Sequence, residues 1–168
     1  DGARGNGNGK LLPAGPLREP VVRLQTVDAI VVRGSLSESL MSTLRNAFTM
    51  TLEPVKLRNL HEVNRTLAFK SLKDKRVHAV AGIGNPQQFF DSLTRLGITH
   101  VPHAFPDHHA FKAADITFDD GDTVVMTEKD AVKCERFARS GDRWWALRID
   151  ASIEDALGER VLNGIERH

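Results

Sequence analysis

The stretch VHAVAGIGNPQQFFDSLTRLG, Val77–Gly97, decides the architecture. Its first part, VHAVAGIG, is a short apolar run ending on two glycines, the pattern of a buried strand that runs into a tight turn. The second part begins with Asn85 at an N-cap position and Pro86 at the first helical position, where the missing N–H costs nothing, and it closes at Gly97. A buried strand followed at once by a helix is the unit of a parallel sheet, because parallel neighbours need a crossover. The same rhythm continues downstream. ITHVPHAF (98–105) reads as a strand and TVVMT (123–127) as another. EKDAVKCERFAR (128–139) is a helix with Thr127 as cap and Asp130 in the capping-box position. WWALRI (144–149) is a strand. SIEDALGERVLNGIER (152–167) is an amphipathic helix capped by Ser152, whose Ile153, Leu157, Val161 and Ile165 recur every four residues and predict one buried face.

Upstream the pattern is less regular. LLPAGPLREP (11–20) carries three prolines in ten residues and cannot be a helix. DAIVVRG (28–34) reads as a buried strand ended by glycine. Ser35 and Ser37 are caps for a helix through about Asn46. FTMTLEPVKLRNL (48–60) alternates with a period of two, as an exposed strand or hairpin does. Residues 60–72 fit no single element and connect two parts.

Composition narrows the class. The 168 residues are 40% apolar and 27% charged, with a net charge of +1, so no global field argues for nucleic acid. The single cysteine, Cys134, excludes an internal disulfide and favours a reducing compartment. No apolar run is long enough to span a bilayer. The chain opens directly on a glycine-rich loop without an initiator methionine, which reads as a piece of a longer protein.

Four motifs carry possible chemistry. Gly5-Asn6-Gly7-Asn8-Gly9-Lys10 invites comparison with a phosphate loop, but Arg4 stands where the first glycine belongs and Leu11 where the Mg²⁺-binding hydroxyl belongs, so a turn is the better reading. The Gly82-x-Gly84 pair lacks the third glycine of a dinucleotide fingerprint. A tight turn explains it at least as well as a ligand site, although the helix starting at Asn85 offers an anion its N-terminus. Lys129 and Lys133 sit one turn apart on a helix at the carboxyl end of a strand. A ligand role and a solvated face, with Asp130 and Glu128 easing the repulsion, weigh evenly. The fourth is VPHAFPDHHAF (101–111), with His103, His108 and His109 around Asp107. A closed zinc set is missing, whereas a histidine beside a carboxylate suits proton handling near neutral pH. A polar loop or turn held by Asp107 is the competing reading.

Taken in order, GNGKLLPAGPLREP, DAIVV, AVAGIGNPQQFFDSLTRLG, HAFPDHHAF and VVMTEKDAVKC resemble the second half of the tetraacyldisaccharide 4'-kinase family of lipid A biosynthesis. The resemblance implies an ATP- and Mg²⁺-dependent kinase with a P-loop-type α/β fold in two lobes. It would move the γ-phosphoryl of ATP to the 4'-hydroxyl of a lipid A precursor disaccharide, peripherally at the cytoplasmic face of the inner membrane. The Walker-type loop, a catalytic aspartate and the membrane contact belong to an upstream lobe, so this chain alone is expected to be soluble and inactive. Carried over by residue, His108 looks like the partner of that aspartate in a catalytic pair, with Asp107 holding the loop. Asp28 looks like an acidic position near the metal. Lys10, Arg18, Asn85 and Lys129 would meet phosphate or substrate. Glu19 would pair with Arg18 at the cleft wall, and Gly82 and Gly84 would shape the turn.

The expected organisation is 1–35 as the end of the first lobe, 36–70 as a hairpin-like linker, 71–150 as a parallel α/β/α lobe, and 151–168 as a helix packing toward the first lobe. Two other functions stay open: a non-catalytic α/β module that binds an anion at Gly82–Asn85, and a metal-binding domain using His103, His108 and His109.

Overall fold

The computed structural model describes residues 2, 5–34, 44 and 46–165. The helix expected from Ser35 and Ser37 lies outside them. The chain divides into two compact units, Pro54–Asp150 and a second formed by Asp1–Glu53 with Ala151–His168.

In the Pro54–Asp150 unit, β4 (Arg76–Ala81) pairs in parallel with β5 (Thr99–Ala104) on one side and β6 (Thr123–Thr127) on the other, and β6 pairs in parallel with β7 (Trp144–Ile153). The end of β2 (Ala47–Asn59) forms a short antiparallel hairpin with β3 (Thr66–Leu67), matching Leu57 to Leu67. Helix α1 (Pro86–Arg95) links β4 to β5, and α2 (Glu128–Cys134) follows β6. The parallel α/β class read from the sequence is the one observed.

Alternation along β4 makes a three-layer arrangement. Val77, Ala79 and Ala81 face a core with Phe89, Phe90 and Leu93 of α1, while Val80 faces a second core with Met126, Phe111 and Ala131 and Cys134 of α2. Both faces of β4 are covered, as a parallel sheet requires. Helix α1 stops where Gly97 takes φ +73° and donates to the Thr94 carbonyl.

Three expectations shift. The compact unit starts at Pro54 rather than at 71, because Leu57, Leu60 and Leu72 are core residues of this unit. The helix after Thr127 is shorter than expected, passing into a 3-10 turn at Glu135–Phe137. Strand β7 runs through Ser152, so Ser152 caps nothing, and the last helix, α3, is Asp155–Ile165. Burial pushes the Cys134 thiol up to about 12. Cys134 is therefore expected to resist iodoacetamide at neutral pH in the native chain and to react fully in denaturant. Rapid labelling of the folded protein would contradict this burial.

In the other unit, β1 (Ile30–Arg33) pairs in parallel with the start of β2, Ile30 matching Ala47. It is not the buried strand expected: Val32 is buried but Val31 is 42% exposed, since β1 ends the strand order among the described residues. Helix α3 carries the apolar face expected to pack toward the first lobe. Val161, Leu162 and Ile165 are exposed. Its Arg160 Nε donates to the Asp28 carbonyl, and Glu154 before it accepts from the Thr49 N–H. The opening loop is a fixed turn: Asn8 Nδ2 donates to the Ala14 carbonyl, and the Lys10 N–H donates to Asn8 Oδ1. A Cβ at Gly15 would collide with Asn8 Oδ1 and the Lys10 carbonyl, which accounts for the glycine of LPAGP.

Candidate active site

The strand order β7-β6-β4-β5 places a topological switch between β4 and β6. The chain leaves β4 toward β5 and leaves β6 toward β7, so a crevice opens at their carboxyl ends, where α/β sheets bind ligands. Three segments meet there: the Gly82–Asn85 turn after β4, the 105–111 loop after β5, and the start of α2 after β6.

Asp107 joins two of them. Its Oδ1 accepts from Lys129 Nζ at 3.2 Å and from the His108 N–H at 3.0 Å. Gly84 belongs to the same cluster, since a Cβ on it would lie 3.5 Å from Asp107 Oδ2. The His109 N–H closes the turn on the Pro106 carbonyl. Within it His108 adopts φ +61°, a conformation uncommon for a residue with a side chain. The His108 side chain is 77% exposed, with Nε2 3.7 Å from Asp107 Oδ2, beyond hydrogen-bond length. The turn therefore presents a solvent-facing imidazole on a backbone held by its neighbour's carboxylate.

The Lys129 bond is the main reason the Asp107 carboxyl titrates below its ordinary 3.8, and the His108 charge adds to it. A carboxyl lowered in the folded state contributes stability above its unfolded value and loses it as pH falls through the lowered one. Lys129→Met is expected to raise the Asp107 midpoint, followed by carboxyl NMR titration. An unmoved midpoint would discount the Lys129 contact.

Beneath this cluster lies a residue to which the sequence assigns a capping position and a charge that eases the Lys129–Lys133 repulsion. Asp130 is fully buried. Its Oδ2 accepts from the Gly82 N–H at 2.9 Å and from Thr127 Oγ1 at 2.8 Å, and its Oδ1 from Lys133 Nζ at 3.0 Å. Thr127 is the cap expected, accepting from the Asp130 N–H. Asp130 thereby ties the Gly82 turn to the helix that carries Lys129. The signal in the sequence was its place beside Ala131 and before Cys134, on the inward face of the helix. Gly82 is also confined by Phe111, 3.1 Å from a would-be Cβ.

Asn85 precedes Pro86 as expected, but its side chain makes no capping bond. Lys133 is engaged with Asp130 and Phe111 rather than free on a solvated face. Of the other histidines in this stretch, His109 pairs with Asp115 at 3.0 Å and stacks on Phe105, whereas His103, on β5, joins His78 at 2.8 Å. Asp115 is held below its ordinary value chiefly by the Lys112 N–H, then by His109. Among the described residues, His103, His108 and His109 form no metal-ligating group; the group that does form is His78, Asp120 and Asp122.

The remaining residues named from sequence lie in the other unit. Glu19, two residues before the short 3-10 helix Val21–Gln25, pairs with Arg23 on that helix at 3.1 Å and not with Arg18. The Lys10 main chain is fixed by Asn8 and accepts from the Leu17 N–H. Asp28 is exposed and its main-chain carbonyl accepts from Arg160 Nε; its carboxylate is of the hard-oxygen type that a divalent cation takes. Asp28, Ala29, Asn46 and Phe48 line an open groove with Glu159 and Arg160 of α3.

Fold and site together define a parallel α/β protein with a basic residue, a histidine and a glycine turn at the switch crevice. The family model described as tetraacyldisaccharide-1-P 4'-kinase matches residues 1–166. The chain belongs to that family. It is 47% identical over 167 residues to a tetraacyldisaccharide 4'-kinase of Methylobacillus flagellatus, covering 99% of this chain and 48% of the relative. Its identity to the enzyme of the same name from Alcanivorax borkumensis is 45% over 166 residues, covering 97% of this chain and 47% of the relative. The chain thus spans about half the length of these relatives. A crystal structure of the "apo" form of LpxK from Aquifex aeolicus in complex with ATP superposes with a TM-score of 0.69 at 27% identity, covering 93% of this chain and 48% of that one.

Proposed function

We propose that this chain is the C-terminal part of an ATP-dependent kinase that phosphorylates the 4'-hydroxyl of tetraacyldisaccharide 1-phosphate in lipid A biosynthesis. The observation that carries the reading is the 105–111 turn. It displays His108 to solvent in a left-handed backbone and anchors Asp107 to Lys129, at the carboxyl edge of the sheet. Strained, exposed, polar residues on a rigid sheet edge suit chemistry better than packing.

In this reading His108 is a catalytic residue, paired with an aspartate from the family's first half. The sugar 4'-oxygen attacks the γ-phosphorus as its proton passes to His108. A new P–O bond forms, the bond to the β–γ bridging oxygen breaks, and ADP leaves with that electron pair. Lys129, fixed by Asp107, and the uncapped N-terminus of α1 at Asn85 attract phosphate oxygens. Lys10 and Arg18 are further cationic positions for phosphate or substrate. Asp28 is the carboxylate we assign to Mg²⁺, an ion usually held by one or two carboxylates with phosphate and water. When bound it neutralises charge on the transferring phosphoryl group. Gly82 and Gly84 keep the turn open beside Asp130 and Asp107, and Glu19 fixes the proline-rich segment through Arg23.

Among the described residues no helix is long and apolar enough to cross a membrane. We place the whole protein peripherally at the cytoplasmic face of the bacterial inner membrane, where its lipid substrate is met. Contact with that membrane is through the first half, and nucleic acid is not a partner.

The test is transfer of label from γ-labelled ATP to the disaccharide 1-phosphate, with this chain alone and joined to the first half from a relative. Transfer to the 4'-position by the joined protein only is the expected result. Phosphate binding without transfer in a folded joined protein would favour the anion-binding module instead.

A further inference from the structure

At the start of β6, opposite the end that leads into α2, Asp120 and Asp122 flank Gly121, and His78 from β4 meets them. His78 Nε2 lies 2.9 Å from Asp120 Oδ2. One ligand atom from each of His78, Asp120 and Asp122 lies within 4.8 Å of the others. Two atoms bound to one ion at ~2.0–2.2 Å stand roughly 3.0–3.5 Å apart, so the His78–Asp120 spacing is already close to that of two ligands.

The histidine is what separates this group from an ordinary acidic surface. His78 is only 8% exposed. Its Nδ1 is joined to His103 Nε2 at 2.8 Å, and the Phe118 ring lies flat against it, with centroids 3.7 Å apart and planes 9° from parallel. The ring is clamped on its face and at one nitrogen, so the other nitrogen is aimed at the carboxylates. A partner on the second nitrogen is the usual way a metal-bound imidazole is oriented.

We propose that His78, Asp120 and Asp122 bind one divalent first-row transition-metal ion, with His103 orienting the His78 ring. The ion replaces the proton shared between His78 Nε2 and Asp120 Oδ2, Asp122 closes onto it, and water completes the shell. One imidazole and two carboxylates carry two negative charges, which balance a divalent ion. The nitrogen donor favours zinc or cobalt over magnesium.

The test is competition for Zn²⁺ against a chromophoric chelator, with the full untagged chain at neutral pH, and Co²⁺ absorption as the spectroscopic readout. One equivalent is expected to bind. His78→Ala should weaken it at least ~100-fold, and His103→Gln ~10-fold or more through the lost orientation. Asp122→Asn, which leaves the core untouched, should weaken it ~10-fold as a second check if His78→Ala misfolds. No binding by the chain, or equal binding by the chain and Asp122→Asn, would overturn the site. Binding lost instead on His108→Ala with His109→Ala would move the ion to the loop histidines and equally overturn it.

Discussion

Replacing His108 with asparagine in the joined kinase is expected to lower kcat by ~10²–10⁴-fold, the usual contribution of a positioned proton acceptor. Asparagine is the informative substitution because it tolerates the left-handed backbone that His108 adopts at φ +61°, whereas alanine adds strain of its own. The side chain is 77% exposed and packs into neither core, so the unfolding midpoint should not move. The KM for ATP should change little, because the proposed role puts His108 on the attacking hydroxyl rather than on the nucleotide. The comparison is a steady-state assay of both proteins, with thermal unfolding alongside. Full activity in His108→Asn would remove the proton-transfer role and leave the histidine as a turn residue.

Asp130→Ala is expected to have the largest effect on stability, about 3–5 kcal/mol, the range for removing one partner of a buried ion pair. The substitution withdraws, at the fully buried Asp130 position, the acceptor from the Gly82 N–H and the Thr127 hydroxyl, and leaves the partly buried Lys133 ammonium without its counter-charge. Asp130→Asn keeps one carbonyl oxygen and should lose less. Urea unfolding of the chain measures both. A loss for alanine below about 1 kcal/mol, the scale of an ordinary surface change, would mean that water replaces the carboxylate and that Asp130 is no structural hub. In the joined kinase, looser Gly82 and Lys129 segments should lower activity even where the fold survives.

The two residues differ in how visible they were. His108 stood out because histidines and an aspartate between prolines have no packing reason to be there, and family resemblance then gave it a role. Asp130 was read as a local cap, since Thr127 three residues earlier explained it sufficiently. Its partner Gly82 is 48 residues away. His78 was passed over inside an apolar run, where a single polar residue looks like a tolerated exception. Only pairing with β5 and β6 brings it to His103 and Asp120. The Arg18–Glu19 pair shows the opposite error: the partner Glu19 takes is Arg23, on the short helix that follows it.

What the sequence determined by itself is the α/β class, the parallel rhythm from β4 onward, the turn at Gly82–Asn85, the Thr127 cap and the prominence of the PDHH turn. These rest on local physics: period, capping and the conformational limits of proline and glycine. Tertiary structure alone decided the strand order, and with it the switch crevice; the ends of β7 and α2; and the long-range partners of Asp130 and His78. Those depend on which distant segments share a face. Cores at Val77 and Val80 form on opposite sides of one strand, and nothing within the strand states what will cover either side.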